Sequence, residues 1–279
     1  MKLLLFCALF LLQGCFFDNS STAAHITDDI PEMTIIDGNL NPENYSDLSA
    51  QKIAWGLGPS VNELQQPIDS LQAIEKFSHL NTLFLVSDEN EILLTFDNGY
   101  ENGNTPVILD TLKKHDVNAV FFITSQYAIE NPDLVQRMID EGHVIGNHSW
   151  HHKSFPELSI ETLTDEILSL HNYMIEHHQY EMRLLRPPMG EFSERSLAVA
   201  KDLGYTTMMW SYAYYDYNVN DQPSHAEALD KLISHLHPGE ILLLHAVSST
   251  NMDILDEFID QTLNKGIRFT NPSNYHNHQ

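Results

Sequence analysis

From Glu91 onward the chain alternates short apolar runs with longer amphipathic stretches, and each apolar run gives way to a polar or charged residue. This pattern constrains the fold more than any other feature. A strand buried on both faces reads as an unbroken apolar run, and parallel strands need a crossover between them, usually a helix. The runs are Ile92-Leu93-Leu94-Thr95-Phe96 ending at Asp97, then 119–123, then 143–146 leading into Asn147-His148, then Leu184-Leu185 leading into Arg186. Two more follow, 206–210 opening onto the aromatic stretch 211–218, and Ile241-Leu242-Leu243-Leu244 ending at His245. Between them the spacing predicts helices over 105–114 (Pro106 in the first turn; apolar face Val107, Ile108 and Leu112), 132–141, 160–177, 194–203, 226–236 and 252–264. Gly142, Gly204 and Gly266 stand at three of the helix ends. The expectation is an α/β fold with Asp97, His148, Arg186, Asp216 and His245 at or after strand C-termini, where the βα loops of such folds converge.

A length of 279 residues with 42% apolar and 19% charged composition is enough for one domain with a substantial core. Fourteen Lys and Arg against 39 Asp and Glu give a formal charge of −25, which repels nucleic acid and anionic lipid at long range. Nucleic acid is therefore excluded as a partner, and an anionic wall polymer would have to be held by local contacts in a cleft. The acidic excess reads as a solvated surface, and a monomer is expected.

Met1 and Lys2 precede an apolar run from Leu3 to Leu12, the length of a signal-peptide core and too short to span a bilayer. It ends in Leu12-Gln13-Gly14-Cys15, which resembles a bacterial lipobox. Residues 1–14 are thus expected to be a lipoprotein signal peptide, with Cys15 lipidated and the protein extracytoplasmic, anchored to the cell membrane. Cleavage would remove Cys7 and leave Cys15 as the sole cysteine, so no intramolecular disulfide is available. Residues 15–52, polar and aperiodic, are expected to be a tether, residues 53–272 the catalytic domain and 273–279 a tail.

His148 and His152 are four apart, a spacing that lets two imidazoles reach one metal from a helical turn or a tight loop. The chain holds 16 histidines, so the spacing alone says little; its position directly after a strand, on the same rim as Asp97, gives it weight.

These residues fall within five ordered segments, which together resemble the motifs of the polysaccharide deacetylase family (NodB homology, carbohydrate esterase family 4). They are Thr95-Phe96-Asp97-Asn98-Gly99-Tyr100, His148-Ser149-Trp150-His151-His152, Arg186-Pro187-Pro188-Met189-Gly190, the stretch Trp210 to Tyr217, and Leu242-Leu243-Leu244-His245. Ile53-Ala54-Trp55-Gly56, Asp97 to Gly103 and Trp210 to Tyr217 are similar to the peptidoglycan N-acetylmuramic acid deacetylase subgroup, which forms the muramic δ-lactam. The resemblance implies a single distorted (β/α)7-8 barrel and removal of acetyl groups from peptidoglycan amino sugars. N-acetylglucosamine glycans, and a non-catalytic glycan-binding module on the same fold, are the alternatives. It further implies Asp97 as general base, His245 as general acid, Arg186 orienting Asp97, and Asp216 holding an imidazole, that of His245. His148 and His152, with Asn98, would hold a divalent metal, zinc by preference. Pro188, Met189, Tyr100 and Tyr217 would contact substrate.

Such a set suits amide hydrolysis, which needs an activated water, a stabilised oxyanion and an acid for a poor leaving group. The sequence departs from the wider family at Asn98, where an Asp ligand is usual, so weak metal binding is expected; the muramic subgroup shares this Asn. Ala213 stands where an Asp often does, and Tyr217 where a Trp is frequent. Met189 takes a position often basic in that subgroup, leaving Arg183 or Lys153 as distant candidates to pair with a muramic carboxylate.

Overall fold

The computed structural model describes residues 36–86 and 90–276. The leader and Cys15 lie outside the described residues. Among the described residues no helix is long and apolar enough to cross a membrane.

In chain order the elements are β1 (Ile53–Ala54), α1 (Ile68–Phe77), β2 (Thr82–Leu83), β3 (Glu91–Asn98), α2 (Thr105–Lys114), β4 (Val120–Ile123), α3 (Ser125–Glu130), α4 (Pro132–Asp140) and β5 (Val144–Asn147). They continue with α5 (Ile160–His178), β6 (Leu184–Leu185), β7 (Glu191–Phe192), α6 (Glu194–Asp202), β8 (Thr206–Met208), β9 (Tyr212–Ala213), α7 (His225–Ser234), β10 (Glu240–His245), α8 (Ser249–Asn264), β11 (Arg268–Phe269) and α9 (Ser273–His276).

Eight strands form one parallel series in the order β2-β8-β6-β5-β4-β3-β10-β9, and β11 pairs with β3. This curled sheet with helices packed on it is the distorted barrel the sequence implied; β2 and β9 remain its two ends. β1 and β7 make a separate antiparallel pair.

Side chains alternate between the faces of a strand, and that alternation sorts the core into two layers. Ile92, Leu94 and Phe96 of β3 join Leu242 and Leu244 of β10 in the large cluster beneath the helices. Leu93 and Ile241 belong to a smaller cluster with Val120, Phe122, Val144, Leu184 and Met208 inside the curl. Thr95 and Asp97 share the inward parity of Leu93, and Leu243 and His245 that of Ile241. The inner cluster thus becomes polar toward the strand ends.

Three expectations need correcting. The buried face of α2 is Ile108, Leu109 and Leu112, while Val107 is exposed, because the helix turns its Leu109 side to the sheet. The tether does not extend to residue 52: Tyr45 is buried and its hydroxyl donates to Asp202 at 2.7 Å, and Ile36, Leu40 and Leu48 pack against the main core. The domain therefore begins at or before Ile36. At the other end, residues 273–276 are helical and Tyr275 packs on the inner cluster, so the chain is still part of the domain where a tail was expected.

Candidate active site

A cavity of about 520 Å³ opens at the C-terminal ends of the strands. Its wall includes Asp97, His148, His152, Trp210 and His245, with Tyr100, Met189 and Tyr217 nearer the rim. Parallel pairing of β3 with β10 sets Asp97 directly opposite His245, and their shared inward parity turns both toward the same space.

Each has a partner of opposite charge. Arg186, which follows β6, is completely buried, and its Nη1 donates to Asp97 Oδ1 at 2.8 Å and to Thr95 Oγ1 at 2.9 Å. Nε and Nη2 donate to the carbonyls of Met208 and Met209, and the guanidinium lies 4.2 Å from the centre of the Phe122 ring. Burial opposes ionisation of Asp97, but the charges around it, Arg186 foremost, outweigh that and hold its carboxyl below the usual range. At His245 burial works against the imidazolium, and the Asp216 carboxylate reverses the balance, raising its pKa. Asp216 Oδ1 is 2.7 Å from His245 Nδ1, and Oδ2 accepts the His245 backbone N–H at 2.8 Å. Nε2 is then the ring nitrogen left for the cavity. The two groups are pushed apart in the sense an acid–base pair requires.

His148 Nδ1 lies 2.8 Å from the Arg186 carbonyl oxygen, which can only accept, so this nitrogen carries the proton and Nε2 bears the lone pair. Burial pushes His148 down to about 4, keeping it neutral at physiological pH. His152 Nε2 is 3.2 Å away. The loop that closes this pair holds Ser149 and His152 at positive φ, 68° and 55°. It is tied down by Asn147 Oδ1, which accepts from the Ser149 N–H, and by the buried Glu166, which accepts from the His151 N–H at 2.7 Å and from Lys153 Nζ at 2.9 Å.

Two imidazoles therefore converge, but the third expected ligand does not join them. Asn98 carries the outward parity of Phe96 and does not line the cavity; both of its buried side-chain polar atoms lack a hydrogen-bond partner. Among the described residues there is no group of three or more His, Cys, Asp or Glu able to hold an ion. The donor set fits a loosely held cation and not a tightly bound one.

Pro188 is buried at the start of the turn that presents Met189 and is not part of the cavity wall. Met189 is 54% exposed at φ 58°, and Gly190 at φ 66° has no room for a side chain: a Cβ there would lie 2.5 Å from the Trp210 ring. Trp55 ties the two segments together, its backbone N–H donating to the Gly190 carbonyl and its Nε1 to the Trp210 carbonyl, both at 2.9 Å. Among the described residues no Lys or Arg lines the cavity. Lys153 is engaged by Glu166, and Arg183 Nη2 lies 2.5 Å from Glu181, so neither is placed to serve the site.

Several residues of this site escaped the sequence reading, notably Glu166 and Asn251. Both sit on helices, outside the motif segments, and are buried polar side chains that no pattern in the neighbouring sequence sets apart.

Residues 86–208 match the family model described as polysaccharide deacetylase. The chain is 42% identical over 223 residues to the peptidoglycan-N-acetylmuramic acid deacetylase PdaA of Bacillus subtilis, covering 78% of this chain and 84% of that protein. A peptidoglycan-N-acetylglucosamine deacetylase of Bacillus cereus is 32% identical over 183 residues, 64% of this chain and 66% of the relative. The solved structure of B. subtilis PdaA, a family 4 carbohydrate esterase, superposes with a TM-score of 0.77 at 39% identity, covering 82% of this chain and 98% of that one. With the five motifs in order on the rim of a curled parallel sheet, this chain belongs to the polysaccharide deacetylase family.

Proposed function

We propose that the protein hydrolyses the N-acetyl group of peptidoglycan amino sugars, with N-acetylmuramic acid as the leading substrate. One observation carries this reading: Asp97 and His245 face each other across adjacent parallel strands, each matched to a buried partner of opposite charge. Asp97, ionised, takes a proton from water as its oxygen attacks the acetyl carbonyl carbon. His245, protonated, gives its Nε2 proton to the sugar nitrogen as the C–N bond breaks, leaving acetate and a free amine. Arg186 keeps Asp97 charged, and Asp216 keeps the proton on His245 Nδ1 so that Nε2 is the donor. A binding module would need neither a base nor an acid.

His148 and His152 would hold a divalent cation, zinc by preference, which when bound polarises the acetyl carbonyl. With two neutral donors the ion should be lost easily, so chelation is expected to inhibit reversibly. Full activity after exhaustive chelation, with no metal by elemental analysis, would show instead that the histidines act on the substrate directly.

A second substrate is favoured by the charge of the cavity. Muramic acid carries a lactyl carboxylate, and among the described residues no Lys or Arg lines the cavity to pair with it. Reaction of N-acetylglucosamine residues as well is therefore expected. Incubating the purified protein with defined fragments of both kinds, and reading acetate release by mass, tests the function and the preference together. No acetate from either would end the deacetylase reading.

An extracytoplasmic site of action follows from a wall substrate, and Cys15 would supply the membrane anchor. The mature protein should fractionate with membranes, and Cys15→Ser should release it. A soluble wild-type protein whose N-terminal peptide lacks lipid mass would disprove the anchor.

A further inference from the structure

Helix α8 begins four residues after His245, and its first turn is built around that histidine. Ser248 caps the helix, its Oγ accepting the Asn251 N–H at 3.0 Å, while the Ser248 N–H donates to the His245 carbonyl at 3.1 Å. Asn251 is thus the third residue of the helix. A polar side chain at this position commonly folds back to accept from the capping residue's N–H. Here it does something else. Its Nδ2 donates to Asp216 Oδ2 at 2.6 Å and to the His245 carbonyl at 3.2 Å.

Both of those neighbours are acceptors only, which determines the orientation of the amide: nitrogen toward them, oxygen away. The oxygen accepts the Tyr214 hydroxyl. Asn251 is only 1% exposed, so no water competes for these bonds. Asp216 consequently receives three donors, two on Oδ2 from Asn251 and the His245 backbone, and His245 Nδ1 on Oδ1. With Oδ2 occupied twice, the carboxylate is held against rotation, and one defined oxygen faces the imidazole.

We infer that Asn251 is a positioning residue for the general acid, holding both the Asp216 carboxylate and the His245 backbone so that His245 Nε2 points into the cavity. This rests on the deacetylase reading above. It separates from a simple helix-capping role because an acidic residue in a helix's first turn favours the helix dipole, whereas a carboxylate at position 251 would lie directly against Asp216.

The test uses the full chain, with Asn251→Ala and Asn251→Asp assayed on peptidoglycan fragments. Asn251→Ala should lower kcat by about 10- to 100-fold with little change in KM. Asn251→Asp should lower kcat at least as far, displace the alkaline limb of the kcat profile from its wild-type position and lower the thermal midpoint, because two buried carboxyls in contact cannot both ionise. The His245 Nδ1 proton resonance should shift in both variants. Wild-type kcat and pH profile in Asn251→Asp would overturn the inference, as would an unchanged Nδ1 resonance in both. If the wild-type protein released no acetate, the deacetylase reading would fall while the resonance still decided Asn251.

Discussion

Replacing Asp97 by Asn, or His245 by Ala, lowers turnover by roughly 10²-fold or more while the domain stays folded. Each change removes one proton-transfer group and leaves the sheet pairing between β3 and β10 in place. Activity within a few-fold of wild type in either variant would remove that residue from its role. The pH profile carries the same information without mutation. The reaction needs ionised Asp97, whose carboxyl is held low by Arg186 despite burial, so activity should fall on the acid side only below the ordinary carboxylate range. It also needs protonated His245, which Asp216 holds high despite burial, so the alkaline limb should lie above the ordinary imidazole value. An alkaline limb below that value would contradict His245 as the acid.

Arg186→Met has the largest expected effect on stability. The guanidinium is wholly buried, and every hydrogen bond it makes ends on a group that is itself inside the protein. Removing it strands the Asp97 carboxylate, and breaking a buried pair from one side costs about 3–5 kcal/mol. For a domain of this size the thermal midpoint should drop by on the order of 10 °C. The sign with pH follows from the depressed Asp97 pKa. In the wild type the pair's contribution is complete above the unfolded carboxyl's pKa and is lost as pH falls through the lower folded value. In the variant the dependence should reverse, because burial without Arg186 raises the Asp97 pKa above its unfolded value, and stability is then lost as pH rises through that range. The double variant Asp97→Asn/Arg186→Met should regain part of the stability and none of the activity. Equal losses of stability in the single and double variants would show that packing against Phe122, and not charge, is what Arg186 provides.

Much of this architecture could be read from the chain because it depends on local periodicity. The runs that became β3, β4 and β10 are apolar on both faces, and the helices between them keep one apolar stripe, so their existence and order follow from residues close in sequence. The polar residues that interrupt each run were equally visible. Elements of two residues, such as β1, β7 and β9, carry no period to detect, since their pairing is set by partners far along the chain. Tyr45 could not be recognised as core for a similar reason: its burial depends on Asp202 and the surface of α6. Asn98 was misplaced because the strand was expected to stop at Asp97. Extending it by one residue reverses the parity and turns the amide away from the histidine pair.

The sequence by itself determined the chemical inventory: two carboxylates, three histidines and an arginine at or after the ends of strands, in the order of a known family. The resemblance implied the pairs Arg186 with Asp97 and Asp216 with His245; tertiary structure alone decided the geometry that joins them. The β3–β10 register set Asp97 opposite His245, complete burial committed Arg186 to Asp97, and the first turn of α8 placed Asn251 on Asp216. Contacts of this kind join segments distant along the chain, and their strength comes from desolvation, a property that no stretch of sequence possesses until the rest of the protein has closed around it.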